Sequence, residues 1–257
     1  MSDLITMDDL SNDEILEILD SAERLVPVAK GDVYAPLLQG KVLGNLFFEN
    51  STRTRMSFES AMKRLGGEVV NLSSVGSSIA KGETLYDTMQ MVDGYSDIAV
   101  IRHPRQGAAQ YSADAIGIPV LNAGDGAGNH PTQTMLDLFT IRESHGTIDG
   151  LNVVLVGDLR YGRTTHSLSH ALVRFGAKLT LVSPDSLRMP DEIVSDLKSH
   201  GSEVVETEDM AGSIAEADVI YMTRIQKERF PDEDEYTKVA GIYKMTADDL
   251  AGAKGGM

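Results

Sequence analysis

The chain has 257 residues and a formal net charge of −16, from 39 acidic and 23 basic side chains. It contains no cysteine, which excludes disulfides, thiolate zinc sites, iron–sulfur clusters and cysteine nucleophiles. The acidic balance disfavours binding to nucleic acid or to an anionic membrane. No apolar run approaches the ~20 residues of a membrane helix, and the first residues lack the pattern of a signal peptide. We therefore expect a cytoplasmic protein.

The first predicted element is an amphipathic helix. Ser11 and Glu14 have the spacing of a capping box, and apolar residues recur at helical spacing from Ile15 to Ala22. Short apolar runs then alternate with helical patterns. The runs predicted as strands are Val42–Phe48, Glu68–Leu72, Asp97–Arg102 and Pro119–Asn122, and the helical patterns begin near Thr52, Thr84 and Gln106.

A longer helix is predicted from Pro131 to Ser144, after which the alternation restarts. The later strands are predicted near Asn152–Val156, Lys178–Val182, Glu203–Val205 and Asp218–Met222, and the later helices near Arg163–Phe175, Asp191–His200 and Asp209–Glu216. Strands that alternate with helices indicate βαβ units and parallel sheets. We therefore predict an α/β fold of two doubly wound domains, each with a central mostly parallel sheet. The predicted bounds are 1–130 and 147–257, joined by a long helix over 131–146.

Ligands of open parallel sheets bind at the carboxyl ends of the strands, and the first polar motif follows such an end. Ser51, Thr52, Arg53 and Thr54 come after an apolar strand and open a helix. A helix N-terminus with hydroxyl and guanidinium groups favours a phosphate. The alternative is that Ser51 or Thr52 only caps the helix and the arginines face solvent.

The second motif, His130-Pro131-Thr132-Gln133, opens the long helix after a glycine-rich stretch. His130 and Gln133 are three residues apart, so both face one side of the helix. The alternative is a histidine with a purely structural hydrogen bond. The segment Gly157–Thr164 imitates a phosphate-binding P-loop, but Arg163 stands where that motif requires lysine, which argues against a nucleotide site.

Two further segments carry candidate binding residues. Arg224 and Gln226 follow a strand and point the same way in an extended chain, and arginine binds carboxylates bidentately; the alternative is an ordinary surface loop. The small-residue segment Ser77–Thr84 is either a mobile lid with Lys81 as its charge or a plain flexible loop. Together these residues indicate a site for two anionic substrates, without a nucleophile, a metal or a cofactor.

These motifs resemble the aspartate and ornithine carbamoyltransferase family, and within it the aspartate carbamoyltransferase catalytic chains. The segments that carry the resemblance are 51–55, Lys81–Thr84, Arg102–Pro104, His130–Gln133 and Tyr221–Gln226. The resemblance implies a first domain that binds carbamoyl phosphate and a second that binds L-aspartate. The implied reaction yields N-carbamoyl-L-aspartate and phosphate, in pyrimidine biosynthesis.

The resemblance also implies a role for each matched residue toward carbamoyl phosphate. The phosphate is bound by Ser51, Thr52, Arg53 and Thr54, and Arg53 stabilises it as the leaving group. The carbonyl oxygen is polarised by Thr54, Arg102 and His130, as in an oxyanion hole. Gln133 holds the carbamoyl amine.

The remaining matched residues are implied to bind aspartate: Lys81, Arg163, Arg224 and Gln226. Ser77 and Lys81 are implied to come from the neighbouring subunit, which makes the enzyme a homotrimer with shared sites. Whether a zinc-bearing regulatory chain joins such trimers is left open by the sequence.

The chain departs from the family at its end. Family members continue beyond Lys254–Met257 with a His-Pro-Leu-Pro-Arg loop and a final helix, so we expect either a fragment or a truncated protein. Two rival functions also stay open. One is ornithine carbamoyltransferase, whose substrate lacks the second carboxylate for Arg224, and the other is a catalytically silent homologue that acts as an assembly partner.

Overall fold

The computed structural model describes residues 3–74, 77–126, 128–225, 232, 236–237, 239 and 241–255. The chain forms two compact units, Met1–Met135 and Leu136–Met257. The boundary falls within the predicted long helix, which is observed at Pro131–His145. Among the described residues, none of the helices combines the length and the apolar composition that crossing a bilayer requires.

The first unit is built on a four-stranded parallel sheet in the order β2-β1-β3-β4. Its strands are β1 (Val42–Phe47), β2 (Glu68–Ser73), β3 (Ile98–His103) and β4 (Val120–Asp125), and its helices are α1 (Asn12–Lys30), α2 (Arg53–Arg64), α3 (Leu85–Tyr95) and α4 (Ala108–Ala115). α5 (Pro131–His145) starts in this unit. α1 begins with the predicted capping box, in which the Ser11 hydroxyl accepts from the Glu14 N–H and the Glu14 carboxylate accepts from the Ser11 N–H.

Alternating residues of the central strands of this sheet enter two apolar clusters. Leu43 and Phe47 of β1 pack with Met62 of α2, whereas Leu46 packs with Met89 of α3. Because successive side chains of a strand point to opposite faces, helices cover both faces of the sheet. This arrangement leaves the carboxyl ends of the strands for the loops that carry polar residues.

The second unit repeats the architecture with the parallel order β7-β6-β5-β8. Its strands are β5 (Asn152–Val156), β6 (Lys178–Val182), β7 (Val204–Thr207) and β8 (Val219–Met222), and its helices are α6 (Arg163–Arg174), α7 (Asp191–Ser199) and α8 (Met210–Ile214). Val154 and Val156 of β5 pack with Val182 and Met210 on the side of α8. The fold class predicted from the alternation of strands and helices is therefore confirmed for both sheets.

One element differs from its prediction in a way that matters for the site. β4 was expected to end at Asn122 but continues to Asp125. Gly124 and Asp125 belong to the glycine-rich stretch that follows the apolar run, so local composition indicates a loop. The ladder continues because Asp125 pairs with His103 of β3 across an irregular register, a contact that no local pattern records.

Candidate functional site

Predicted site residues of the first unit lie at or after the carboxyl ends of strands. Since the strands of this sheet are parallel, those ends lie at one edge. Ser51, Thr52, Arg53 and Thr54 follow β1, Ser77 and Lys81 follow β2, Arg102 lies at the end of β3, and His130 and Gln133 follow β4.

The start of α2 lacks a conventional side-chain cap. Thr52 occupies the N-cap position with helical backbone angles, and its side chain makes no capping hydrogen bond. Its hydroxyl is therefore not used on the first N–H groups of α2, which carry the positive end of the helix dipole. Thr52 and Arg53 are exposed, and Ser51 and Thr54 are half-buried. The alternative of a cap by the Thr52 side chain does not hold.

Arg102 is held by an acidic residue that the sequence interpretation left without a role. Its Nε donates to Oε2 of Glu49 at 3.0 Å, and the Arg102 side chain is only 16% exposed. The backbone adds a second link, because the N–H of Phe48 donates to the Arg102 carbonyl at 2.9 Å. An anion that reaches Arg102 must compete with Glu49 for the guanidinium. The sequence feature that could have indicated this role is the position of Glu49, an acidic residue between an apolar strand and an arginine-rich helix start.

His130 lies just before α5 and is 5% exposed. The Thr132 hydroxyl lies 3.3 Å from its Nδ1, and the N–H of Gln133 donates to the His130 carbonyl at 3.0 Å. The imidazole and the Gln133 amide therefore belong to one tight turn. A buried imidazole next to a helix start has the chemistry to polarise a carbonyl oxygen.

His103, the next residue after Arg102, has a structural environment. Its ring lies 5.2 Å from that of Phe48, and its Nδ1 accepts from the N–H of Arg105 at 3.0 Å. Burial lowers the pKa of the His103 imidazole below its ordinary value. The ring is therefore neutral at neutral pH and orders the turn after β3.

The segment with Ser77 and Lys81 contains one short helical turn, Ser78–Lys81. The Ser77 hydroxyl donates to the Ser74 carbonyl at 3.1 Å. Lys81 is the last residue of that turn and is exposed. The turn ends at Gly82, which has φ +96°. The Thr84 side chain then caps α3 by accepting from the Asp87 N–H at 3.2 Å. Lys81 is therefore exposed to solvent between Ser77 and Thr84, two residues whose side chains are held by hydrogen bonds.

In the second unit, Arg163 is the first residue of α6 and is 9% exposed. The loop before it is organised around Asp158, a fully buried residue whose Oδ1 accepts from the Tyr161 N–H at 2.9 Å. The Asp158 carboxylate therefore orders the loop that precedes Arg163.

Gly157 brings the ends of β5 and β8 close together. Its φ of +119° lies in a region that side-chain-bearing residues rarely adopt, and a Cβ there would overlap the carbonyl oxygen of Thr223. The Thr223 N–H donates to the Val156 carbonyl at 2.8 Å. Arg224 follows Thr223 directly and is exposed. The hydrogen bond to β5 therefore fixes the backbone position from which the Arg224 side chain extends.

Tyr221 of β8 links three elements of the second unit, and the sequence motif that contains it indicated no role for it. Its hydroxyl donates to the Asp137 carboxylate of α5 and accepts from Thr164 of α6. Burial, with the Asp137 charge, raises the pKa of Tyr221 to about 12. Thr164 adjoins Arg163, and Tyr221 lies three residues before Arg224, so this phenol connects the segments of both arginines.

The fourth predicted aspartate-binding residue, Gln226, lies outside the described residues. Within the part of the chain that the structure describes, no three histidine, aspartate or glutamate side chains form a group that could hold a metal ion.

Two family models cover nearly the whole chain. The carbamoyl-phosphate-binding domain of aspartate/ornithine carbamoyltransferases matches residues 2–143, and the aspartate/ornithine-binding domain matches residues 149–256. The chain belongs to the aspartate/ornithine carbamoyltransferase family.

Similar proteins place the chain more narrowly within this family. The aspartate carbamoyltransferase catalytic subunit of Methanothrix thermoacetophila is 56% identical over 253 residues, which are 98% of this chain and 82% of that protein. The corresponding subunit of Thermococcus kodakarensis is 53% identical over the same shares of both chains.

Solved structures give the same result for the fold. The catalytic subunit of M. jannaschii aspartate transcarbamoylase matches with a TM-score of 0.91 and 49% identity, over 98% of this chain and 83% of that one. The Trypanosoma cruzi enzyme, solved with carbamoyl phosphate and aspartate, matches with a TM-score of 0.93 and 40% identity, over 100% and 83%.

Proposed function

We propose that this chain is an aspartate carbamoyltransferase. It transfers the carbamoyl group of carbamoyl phosphate to the amine of L-aspartate, giving N-carbamoyl-L-aspartate and phosphate for pyrimidine biosynthesis. The observation that carries the proposal is the similarity over the whole chain to a structure solved with both substrates. Relatives that are 52–56% identical bear the same name.

In the proposed reaction, the amine of aspartate attacks the carbonyl carbon of carbamoyl phosphate. A carbon–nitrogen bond forms, the carbon–oxygen bond to phosphate breaks, and the amine loses its proton to the departing phosphate or to solvent. No covalent bond to the protein forms. The protein contributes positioning and charge stabilisation, and positioning alone is worth up to ~7–11 kcal/mol in ideal cases.

The first unit supplies the groups for carbamoyl phosphate. Arg53 and the start of α2 stabilise the charge that grows on the phosphate, supported by the unused capping position at Thr52. Thr54, Arg102 and His130 donate to the carbonyl oxygen as negative charge develops there. Gln133 orients the carbamoyl amine from the turn that also holds His130.

The second unit supplies the groups for aspartate. Arg163 and Arg224 bind its two carboxylates, and Gln226 adds an oriented hydrogen bond. Preference for aspartate over ornithine rests on Arg224, since ornithine carries an amine where aspartate has its second carboxylate. Domain bounds of 1–130, 131–146 and 147–257 remain our prediction for the division of labour.

We further propose that the working assembly is a homotrimer in which Ser77 and Lys81 serve the site of the neighbouring subunit. Support comes from the exposure of Lys81 at the end of a short helical turn in which no residue is buried. A zinc-bearing regulatory chain is a further candidate partner of such trimers.

The direct test is to incubate the purified chain with carbamoyl phosphate and either L-aspartate or L-ornithine, and to measure carbamoylated product and released phosphate. We expect N-carbamoyl-L-aspartate with aspartate and no citrulline with ornithine. Citrulline alone would assign the chain to ornithine carbamoyltransferase. Folded protein without product from either amine would make it a silent homologue.

A further inference from the structure

The pairing of β3 with β4 is irregular close to the carboxyl ends of both strands. Ile101 pairs with Asn122, whereas His103 pairs with Asp125, so β4 contains one extra residue in this interval. Gly124, within the interval, has φ +117°. Such a bulge redirects the chain and often borders a functional site.

The side chain of Asn122 stabilises the bulge from inside the protein. Asn122 is fully buried. Its Oδ1 accepts from the Gly124 N–H at 2.8 Å. Its Nδ2 lies within 3.0–3.3 Å of the Ile5 carbonyl, the Asp125 carboxylate and the Asn129 carbonyl. One amide therefore joins the bulge, the N-terminal segment and the residue before His130.

Asp125 also links β4 to the residue before His130, and in addition to the start of α4. Asp125 is 4% exposed. Oδ1 accepts from the Asn129 N–H at 2.7 Å, and Oδ2 accepts from the Gly107 N–H, next to the start of α4, at 2.8 Å. A buried carboxylate is costly unless it is hydrogen-bonded in this way, so its bonds fix the backbone that makes them. Asn129 is the residue that leads into His130.

A backbone hydrogen bond also connects the residue after Asp125 to the end of β3. The Gly126 N–H donates to the His103 carbonyl at 2.8 Å, directly after Arg102. At Gly128 a Cβ would lie 2.6 Å from Oδ1 of Asp125. The residues around Asp125 thus leave no room to shift the carboxylate without moving the chain before His130.

We propose that Asp125 is a positioning residue for carbamoyl transfer, which sets the place of the His130 imidazole relative to Arg102. It acts through these two residues and touches no substrate. The inference rests on the proposed function, in which His130 and Arg102 both donate to the carbonyl oxygen. Misplacement of such a donor by ~1 Å costs on the order of 100-fold in rate.

Asp125→Asn tests the proposal with almost no change in volume. The Gly107 N–H, the Asn122 side-chain amide and the Asn129 N–H all donate to the carboxylate, so an amide nitrogen in place of one oxygen loses at least one of these bonds. We expect kcat to fall roughly 10- to 100-fold. The inhibition constant of inorganic phosphate, a probe of the α2 start, should stay within about threefold because the groups that hold phosphate are untouched.

Asp93→Asn is the matched control. Asp93 also accepts from two backbone N–H groups, those of Gly117 and Ile118 at 2.9 and 3.2 Å, but at the opposite end of β4. Both N–H groups donate to one oxygen, Oδ1, which asparagine retains, so the melting temperature should fall less than in Asp125→Asn. At a temperature at which both variants are folded, Asp93→Asn should leave kcat unchanged. An equal loss of kcat in both variants would show that Asp125 is only structural and would overturn the proposal.

Gly128→Ala displaces the same carboxylate without changing charge, and it serves if Asp125→Asn does not fold. In both variants the His130 ring resonances in a proton–carbon NMR titration should shift, whereas Asp93→Asn should leave them in place. This readout does not need turnover, so an inactive wild-type chain would refute the proposed function alone. Unmoved His130 resonances in every folded variant would refute the positioning role.

Discussion

Replacement of Gly157 by alanine tests the close approach of β5 and β8, which fixes the backbone before Arg224. The new Cβ meets a backbone oxygen, that of Thr223, which has no rotamer by which to move away. The φ of +119° adds strain of ~1–3 kcal/mol. Overpacking of this kind costs a further ~1–3 kcal/mol. We therefore expect a loss of about 2–6 kcal/mol from a total stability of ~5–15 kcal/mol.

Gly176→Ala provides the control for backbone conformation. Gly176 has φ +70° and no atom within 4 Å of the position that a Cβ would take. The free energy of unfolding of Gly176→Ala should therefore fall by only ~1–2 kcal/mol, the cost of a left-handed backbone conformation for alanine. The difference between the two variants measures the contact with Thr223 together with the more extreme backbone angle.

The functional consequence should be specific to aspartate. Displacement of Thr223 moves Arg224, so the apparent KM for aspartate should rise in Gly157→Ala, whereas carbamoyl phosphate binding should stay near its wild-type value. Urea unfolding and steady-state kinetics on both variants measure these quantities. If the two variants lose equal stability and keep the same KM for aspartate, the close approach does not position Arg224.

Other residues give further predictions. Arg53→Ala should lower kcat by roughly 10²–10³ because it removes a donor to the departing phosphate; activity within threefold of the wild type would contradict that role. Arg224→Ala should raise the KM for aspartate strongly with carbamoyl phosphate binding nearly intact, and equal weakening of both substrates would indicate a folding defect instead. Mixed trimers of Lys81→Ala and Arg53→Ala chains should recover part of the activity, since some sites then contain neither lesion; mixed trimers without recovery would argue against a shared site. Tyr221→Phe should lower the free energy of unfolding by about 1–3 kcal/mol, because it leaves the Asp137 carboxylate without its phenol donor, and an unchanged urea midpoint would refute that bond.

Local pattern determined much of what this protein is. The alternation of short apolar runs with helical periodicity predicted both parallel sheets, because a residue's spacing reports which side of its own element is buried. The same logic placed Ser51–Thr54 at a helix start and Arg102 at a strand end. The net charge of −16 argued against nucleic-acid binding, and the absence of cysteine excluded thiolate sites.

Tertiary structure decided the strand orders and the partners of the site residues. β1 lies between β2 and β3, an arrangement that local periodicity does not contain. Arg102 and Glu49 are 53 positions apart, and the Asn122 side chain reaches Ile5 across 117. Such contacts depend on how distant segments pack, so only the folded chain shows that Glu49 holds Arg102 and that a buried carboxylate, Asp125, anchors the approach to His130.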